Sequence, residues 1–260
     1  MTQITQHAPG TFCWPELSST DQAAAEKFYP SVFGWEIKLS PMGPDAHYTI
    51  FLKDGKAVAA LAQMMEDLRK KGVPSHWLSY VSTASAAETT ARARQLGGTV
   101  IQDAFDVMDL GRMAVLQDPL GTAFAVWQAK SHPGAGVLEE PGSLCWTELV
   151  TTDTVKAGSF YTQLFGWTTA DMPMPSGSYT LFKRGEKSAA GMMARTPEMG
   201  NVPAHWMPYF SVADCDKTVA RATEKGGSIL VPPQEVPTVG RFALLQDPQG
   251  AAFAVIKLSA

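Results

Sequence analysis

The sequence predicts an α+β fold of two tandem domains, and the first observation behind this prediction is an internal repeat. Residues 111–128 read GRMAVLQDPLGTAFAVWQ and return at 240–257 as GRFALLQDPQGAAFAVIK, with 12 of 18 positions identical. Two more motifs recur in the same order: FCWPEL at 12–17 becomes LCWTEL at 144–149, and FYPSVFGW at 28–35 becomes FYTQLFGW at 160–167. Each copy is therefore one folding unit of roughly 125–130 residues, an ordinary size for a domain.

The second observation is that strand-like and helix-like periodicities alternate within each copy. In the first copy, a β-branched and aromatic strand is expected at 11–17, followed by a helix from Asp21 to about Phe33. We expect Ser19 or Thr20 to cap this helix and Gly34 to end it. Three further strands are expected at 35–40, 47–53 and 57–64, which completes one βαβββ module.

The module pattern then restarts within the same copy. A strand is expected at 77–83, and an alanine-rich helix at 85–96 stops at a pair of glycines. Three more strands are expected at 99–107, 112–117 and 123–128. The sequence DPLG at 118–121 predicts a hairpin turn, because proline presets the first turn dihedral and glycine permits a positive φ. Each domain is therefore predicted to contain two βαβββ modules.

The third observation is the composition of residues 132–142, HPGAGVLEEPG, which is typical of an interdomain linker. It predicts domain boundaries at 1–131 and 143–260. Within each domain, short helices on one face of the sheet leave the other face free. Two modules side by side are expected to curl their free faces into an open, U-shaped trough, and we expect a ligand to bind there.

Composition and charge exclude several function classes. The chain is 45% hydrophobic and 18% charged with a net charge of −4, which argues for a globular protein and against binding to nucleic acid or an anionic membrane. No apolar run is long enough to span a membrane, and the polar start MTQITQHAPG does not resemble a signal peptide, so a cytoplasmic location is expected. Three cysteines cannot form a disulfide framework.

The module order, the FYxxxFGW helix end and the GRxAxLQDPxGxAFAV hairpin resemble the vicinal oxygen chelate superfamily. This superfamily includes glyoxalase I, extradiol dioxygenases, fosfomycin resistance enzymes and bleomycin resistance proteins. The resemblance covers both halves, from Phe12 to Val126 and from Leu144 to Val255. It implies the paired βαβββ fold, but not one function, because the same fold hosts metal enzymes and metal-free binding proteins.

The resemblance also implies where metal ligands would lie in a metal-dependent member. The first-strand position falls on Trp14 and Trp146, and the last-strand position falls on Ala125 and Ala254. The middle position falls within 57–65 or 188–194, which contain no histidine or carboxylate, and the remaining one lies just beyond His76 or His205. Because indole and methyl groups do not ligate divalent ions, neither a metal site nor another cofactor is expected.

The main site candidates are two tryptophan–glutamate pairs. Trp14 and Glu16 are two residues apart on one strand, as are Trp146 and Glu148, so each pair shares a sheet face. A carboxylate in an apolar trough has a raised pKa, which suits it to proton transfer, and Glu16 and Glu148 are therefore candidate catalytic residues. The alternative is a structural role, in which a backbone amide or a nearby arginine holds each glutamate. The tryptophans either stack on a planar ligand or belong to the core.

Further ligand-binding candidates surround these pairs. His76 and His205 each follow a Pro-led turn and either hydrogen-bond structurally or contact the ligand. Arg112 and Arg241 follow a glycine at a strand start and either meet an anionic ligand or pair with a carboxylate. Trp127 shares a strand face with Ala125 and has no aromatic counterpart in domain two, which predicts that the two troughs differ in selectivity.

Three functions remain open from the sequence. The first is metal-independent binding or sequestration of a small, partly apolar or aromatic molecule. The second is a glyoxalase-type lyase or isomerase acting on small carbonyl compounds, which would work without the Lewis acid that normally stabilises the enediolate. The third is a scaffold whose troughs are closed by tryptophan. The expected partner is a small molecule rather than nucleic acid or membrane, and the chain is expected to be a monomer or homodimer.

Overall fold

The computed structural model describes residues 3–174 and 177–259, and it contains one eight-stranded sheet in each domain. The outermost predicted domain bounds, residues 1 and 260, lie outside the described residues. The strands of the first sheet are β1 Phe12–Ser19, β2 Glu36–Pro41, β3 His47–Lys53, β4 Lys56–Gln63, β5 His76–Ser82, β6 Thr99–Val107, β7 Gly111–Gln117 and β8 Ala123–Ala129. Those of the second are β9 Leu144–Thr151, β10 Thr168–Met174, β11 Gly177–Arg184, β12 Lys187–Ala194, β13 His205–Ser211, β14 Ser228–Val236, β15 Gly240–Gln246 and β16 Ala252–Leu258.

The helices lie between these strands, as the module pattern predicts. They are α1 Gln22–Phe33, α2 Glu66–Lys70, α3 Ala86–Gln95, α4 Thr154–Phe165 and α5 Cys215–Glu224, with a 3₁₀ turn at Pro197–Met199. The short helix α2 and the 3₁₀ turn connect the two modules of each domain, where the sequence predicted no regular element. Among the described residues, no helix combines the length and the apolar composition that crossing a membrane requires.

The strand order confirms the predicted architecture. The first sheet runs β2-β3-β4-β1-β5-β8-β7-β6, and the second repeats this order with β10-β11-β12-β9-β13-β16-β15-β14. The two modules of a domain join through an antiparallel pair, β1 with β5 and β9 with β13. Both sheets are open, and each is built within one domain, so the modules are not exchanged between domains. Each domain thus has the expected α+β fold.

The cap of helix α1 differs from the one predicted. The Asp21 side chain accepts a hydrogen bond from the Ala24 amide, whereas Ser19 Oγ donates to the Asp21 carbonyl. The expectation that Ser19 or Thr20 caps the helix is therefore wrong by one or two positions. Asp153 caps helix α4 in the same way. Gly34 ends α1 as predicted, in a left-handed conformation with φ of 72°.

The main hydrophobic core is shared by both domains and lies on the helix-bearing faces of the two sheets. Phe33 at the end of α1 packs against Phe210 of β13, with ring centroids 5.3 Å apart. Phe12 of β1 packs against Trp206 of β13 at 4.9 Å. The helix-bearing faces therefore meet, and the helix-free faces point away from each other.

Two buried hydrogen bonds connect the domains through the repeated motifs. Tyr29 of α1 donates to Asp247 Oδ2 at 2.9 Å, and Tyr161 of α4 donates to Asp118 Oδ2 at 3.2 Å. Each aspartate belongs to the DPxG turn of the opposite domain, and its other oxygen accepts two backbone amides of that turn. The FY motif of each domain thus needs the DPxG turn of the other domain as its partner. These bonds explain why both motifs occur twice.

Residues 132–142, the predicted linker, pack in part against the first sheet rather than forming a loose spacer. The Ala135 amide donates to the Cys13 carbonyl at 2.8 Å, and the Gly136 amide donates to the Ala57 carbonyl at 2.7 Å. The ends of β1 and β4 thus hold the linker backbone. Composition alone did not predict this contact, because the partner carbonyls are more than 75 residues away in sequence.

Candidate functional site: a repeated Trp–Tyr–Glu–Tyr cluster

The helix-free face of the first sheet, called trough 1, is apolar around one carboxylate. Its buried residues are Cys13, Trp14, Ala60, Tyr80, Ala125, Trp127 and Ala135. Glu16 of β1 lies on this face and is half-buried. Tyr48 of β3 donates to Glu16 Oε2 at 2.5 Å, and Tyr80 of β5 donates to Oε1 at 3.0 Å. Trp14 Nε1 in turn donates to the Tyr48 hydroxyl at 3.4 Å.

The helix-free face of the second sheet, called trough 2, repeats this cluster. Its buried residues are Met207, Tyr209, Ala254 and Ile256, with Trp146, Phe242 and Leu244 packed against them. Tyr179 donates to Glu148 Oε2 at 2.8 Å, and Tyr209 donates to Oε1 at 3.0 Å. Trp146 Nε1 donates to Tyr179 at 2.9 Å. Four side chains of the same three types thus make the same three hydrogen bonds in both domains.

Glycine leaves room for this network in trough 2. Gly191 of β12 is the strand partner of Glu148, as Ala60 of β4 is the partner of Glu16. A Cβ atom at position 191 would lie 1.8 Å from the Tyr179 hydroxyl. The missing side chain therefore allows the shorter Trp146–Tyr179 bond.

Burial dominates the electrostatics of both glutamates. It raises the pKa of Glu16 and of Glu148 above the ordinary value of 4.5, and the tyrosine hydroxyls that donate to each carboxylate partly oppose this. Burial and the adjacent carboxylate raise the pKa of all four tyrosines, so they remain protonated donors at neutral pH. Each site holds one carboxyl group that is poised nearer to neutrality than an exposed glutamate.

A raised carboxyl pKa makes stability depend on pH. When the pKa of a carboxyl group is higher in the folded than in the unfolded protein, protonation of that group favours the folded state. Its contribution to the free energy of unfolding is fully present below about pH 4.5 and is lost as pH rises through the folded-state pKa. We expect the double substitution Glu16→Gln and Glu148→Gln to remove this fall in unfolding free energy. Urea unfolding from pH 4.5 to pH 8 measures it, and parallel curves for the two proteins would contradict the assignment.

The tyrosines are the site residues that the sequence analysis missed. The signal was present, because the chain has six tyrosines and they form three repeat pairs: 29 with 161, 48 with 179 and 80 with 209. A residue type that occurs only at equivalent positions of the two copies indicates either a shared core or a shared site. Here the first pair braces the domains, and the other two hold the carboxylates.

The side chains at the implied ligand positions do not fit a divalent metal. The first, middle and last strands of trough 1 carry Trp14, Ala60 and Ala125, and those of trough 2 carry Trp146, Gly191 and Ala254. Glu16 and Glu148 have both oxygens hydrogen-bonded to tyrosine. In the described ranges 3–174 and 177–259, no three His, Cys, Asp or Glu side chains group closely enough to hold a metal ion.

The two predicted histidines lie at the ends of the troughs. His76 is the strand partner of Ser18, two pairs beyond the pair of Glu16 and Leu78. Its Nδ1 lies 2.9 Å from the Pro74 carbonyl, and His205 Nδ1 lies 2.8 Å from the Pro203 carbonyl. Burial lowers the pKa of His205. Each histidine thus anchors its own Pro-led turn, which matches the structural alternative.

The structure places the two arginines away from the troughs. Arg241 forms a bidentate pair with Asp216 of helix α5, with N–O distances of 2.7 and 2.8 Å, so it lies on the helix-bearing face. Arg112 donates to Asp106 and to the Ala104 carbonyl at the sheet edge. Arg112 is two residues from Ala114 on its strand, and Arg241 is two residues from Ala243, so each arginine shares the helix-bearing face with a core residue. The expectation that Arg112 and Arg241 border the pockets is therefore wrong.

Trp127 does lie in trough 1, but its indole is engaged by the linker. Its Nε1 donates to the His132 carbonyl at 2.9 Å, and its ring meets the His132 imidazole at 6.0 Å between centroids. It is 6% exposed, as is consistent with packing against the linker. Domain two has Ile256 at the equivalent position. The aromatic side chain of Trp127 therefore serves to hold the linker in domain one.

Two shallow concavities lie outside the troughs, at the seams between the domains. One, of about 640 Å³, is lined by Phe33, Val212 and residues of α5. The other, of about 440 Å³, is lined by Leu96, Pro119 and residues of α4. Neither contains a member of the Trp–Tyr–Glu–Tyr clusters, so the repeated chemistry and these concavities do not coincide.

Sequence comparison now decides the family. The profile of the Glyoxalase/Bleomycin resistance protein/Dioxygenase superfamily matches residues 143–255, and that of a glyoxalase-like domain matches residues 16–127. The chain belongs to this superfamily. Relatives of this vicinal oxygen chelate protein include "Putative glyoxylase CFP32" of Mycobacterium tuberculosis, 39% identical over 99% of this chain and 98% of the relative. Another is "Anthracycline biosynthesis protein DnrV" of Streptomyces peucetius, 40% identical over 98% and 96%.

Solved structures agree on the fold. The Mn(II)-bound glyoxalase from Novosphingobium aromaticivorans has a TM-score of 0.66 at 15% identity, covering 99% of this chain and 83% of that one. The 2,3-dioxygenase LapB from Pseudomonas sp. KL28 has a TM-score of 0.62 at 14% identity, covering 100% and 94%. At such low identity the likeness concerns the fold, and the chemistry has to come from the side chains of the troughs.

Proposed function

We propose that this protein binds a small, planar, partly apolar molecule in its troughs without using a metal ion. The observation that carries the proposal is the repeated Trp–Tyr–Glu–Tyr cluster on the helix-free faces. An aromatic and aliphatic lining with a few fixed polar groups is the usual composition of a small-molecule site. The relative named for anthracycline biosynthesis supports a planar, fused-ring ligand.

The polar groups of the cluster suit a ligand that carries a hydrogen-bond donor. In each trough the two tyrosine hydroxyls donate to the carboxylate, so each glutamate oxygen keeps a lone pair for another donor. An ionised carboxylate accepts stronger hydrogen bonds than a neutral group. Phenolic hydroxyl or amino groups on an aromatic ring supply such donors.

The proposed independence of metal rests on the donor set. Indole, methyl and glycine positions take the place of ligands, and the remaining carboxylate is already bound by two tyrosines. A protein of this type would hold its ligand by stacking and hydrogen bonds alone.

The alternative is a glyoxalase-type lyase or isomerase acting on small carbonyl compounds. The raised pKa of Glu16 and Glu148 favours it, because a carboxyl group nearer to neutrality can both take and return a proton. The name of the mycobacterial relative points the same way. In this case, a tyrosine hydroxyl would exchange its hydrogen bond to the glutamate for one to the developing enediolate oxygen, because it has a single hydrogen to donate.

Substitution of the glutamates separates the two functions. We expect wild-type protein to bind 1,4-dihydroxyanthraquinone, a planar phenol, in a fluorescence titration. Glu16→Gln and Glu148→Gln should each weaken binding less than about tenfold, because the amide keeps one of the two acceptor oxygens that a ligand donor can use.

The same variants test the alternative. If the wild-type protein turns over the hemithioacetal of methylglyoxal and glutathione, and folded Glu→Gln variants do not, enzyme function would rank first. Absence of probe binding at micromolar protein, together with such turnover, would overturn the binding proposal.

A further inference from the structure

The two first-strand tryptophans differ in access to solvent although they occupy equivalent positions. Trp14 is 5% exposed, whereas Trp146 is half-buried. The chain has seven tryptophans, all within the described residues, and the six others are between 3% and 7% exposed. Trp146 is therefore the one indole in this protein that solvent reaches appreciably.

The cover over Trp14 comes from the linker. The His132 imidazole meets the Trp14 ring edge-on, with ring centroids 4.8 Å apart and an interplanar angle of 85°. The same imidazole touches Trp127, whose Nε1 donates to the His132 carbonyl at 2.9 Å. An aromatic ring of the protein itself thus occupies the space beside the first-strand indole of trough 1.

The backbone that follows His132 is fixed at several points. Residues 132–138, here called the strap, hydrogen-bond through Ala135 to Cys13 and through Gly136 to Ala57. The buried His7 ring bonds to the Ala135 carbonyl at 2.8 Å, and the Ile4 amide donates to the Gly136 carbonyl at 2.9 Å. Gly134 lies so close to β1 that a Cβ atom there would be 2.6 Å from the Cys13 carbonyl oxygen. The strap is therefore held in a fixed position by specific contacts with β1, β4 and the N-terminal segment.

We infer that the strap fills trough 1 with an aromatic ring and that the chain therefore holds one planar aromatic ligand, in trough 2, against the indole of Trp146. This inference rests on the proposed function, because it takes the troughs to be the binding sites. The edge-on contact of His132 with Trp14 indicates the ligand chemistry: an aromatic ring packs against the matching indole of the other domain. Duplication thus leaves one site closed by the chain and one open.

Collisional quenching by acrylamide tests the strap without any ligand. In the wild-type protein, the quenchable fluorescence should correspond to one tryptophan and disappear in Trp146→Phe. His132→Ala should expose a second quenchable tryptophan, which Trp14→Phe in the same background removes. His132→Leu keeps the cover without the imidazole and should resemble wild type. Unchanged quenching in Trp146→Phe, or none gained in a folded His132→Ala protein, would overturn the inference.

Calorimetry with 1,4-dihydroxyanthraquinone tests the binding half. We expect one site per chain, a loss of affinity of at least tenfold in Trp146→Ala, and two sites per chain in His132→Ala. Val155→Ala, a change at an 82% exposed residue of helix α4, outside both troughs, is the control and should keep wild-type affinity. Two equal sites in wild type would refute the inference while leaving the proposed function standing. No binding in any variant would instead refute the proposed function, and the quenching result would then decide the strap alone.

Discussion

Replacing Asp247 with alanine is expected to lower the free energy of unfolding by about 3 kcal/mol, because one buried side chain serves two structural purposes. Its Oδ2 accepts from Tyr29 of the other domain at 2.9 Å, and its Oδ1 accepts from the amides of Gln249 and Ala251 at 2.9 and 2.8 Å. Asp247 is only 3% exposed, so alanine would leave these three buried donors without a hydrogen-bond partner. Denaturant unfolding followed by far-UV circular dichroism measures the loss.

Two further variants divide this effect between the turn and the domain interface. Asp247→Asn keeps an acceptor for the turn amides and should cost less than alanine, also because burial raises the pKa of Asp247 and so disfavours its charge. Tyr29→Phe removes the interdomain bond together with the hydrogen bond that Trp77 Nε1 donates to the Tyr29 hydroxyl at 3.2 Å. A double-mutant cycle of Tyr29→Phe with Asp247→Ala should give a coupling energy of about 1 kcal/mol or more. Strict additivity would show that the bond does not brace the domains.

Replacing Gly191 with alanine is expected to disrupt trough 2 and to destabilise the protein by about 1–3 kcal/mol. The new methyl group would lie 1.8 Å from the Tyr179 hydroxyl and 2.9 Å from Trp146 Nε1. The hydroxyl has to move, which strains its bonds to Glu148 and to Trp146. The emission of Trp146, the solvent-accessible indole, should change together with stability.

Helix α4 offers a matched control for this variant. A Cβ atom at Gly158 would meet only Met192 Cε, at 3.6 Å, which is ordinary contact. Gly158→Ala should therefore stabilise the protein by about 0.5–1 kcal/mol through helix propensity and reduced backbone entropy. If Gly191→Ala behaved like Gly158→Ala, the close packing of Tyr179 against position 191 would be disproved.

Local pattern predicted the strands and helices well because their signals are short-range. Alternation of residues placed Trp14 and Glu16 on one face, and the same rule applied to Trp146 and Glu148. The exact helix cap was missed because three adjacent residues, Ser19, Thr20 and Asp21, all have capping side chains. Only the chain geometry selects Asp21.

The sequence by itself determined the duplication, the two βαβββ modules in each domain and the pairing of a tryptophan with a glutamate on each first strand. All of these depend on residues close together in the chain. The tertiary structure decided which side chains meet those pairs. Tyr48 reaches Glu16 across the one intervening strand, β4, and the linker reaches Trp14 from the end of the domain. Such contacts depend on strand order and register, which local periodicity does not encode.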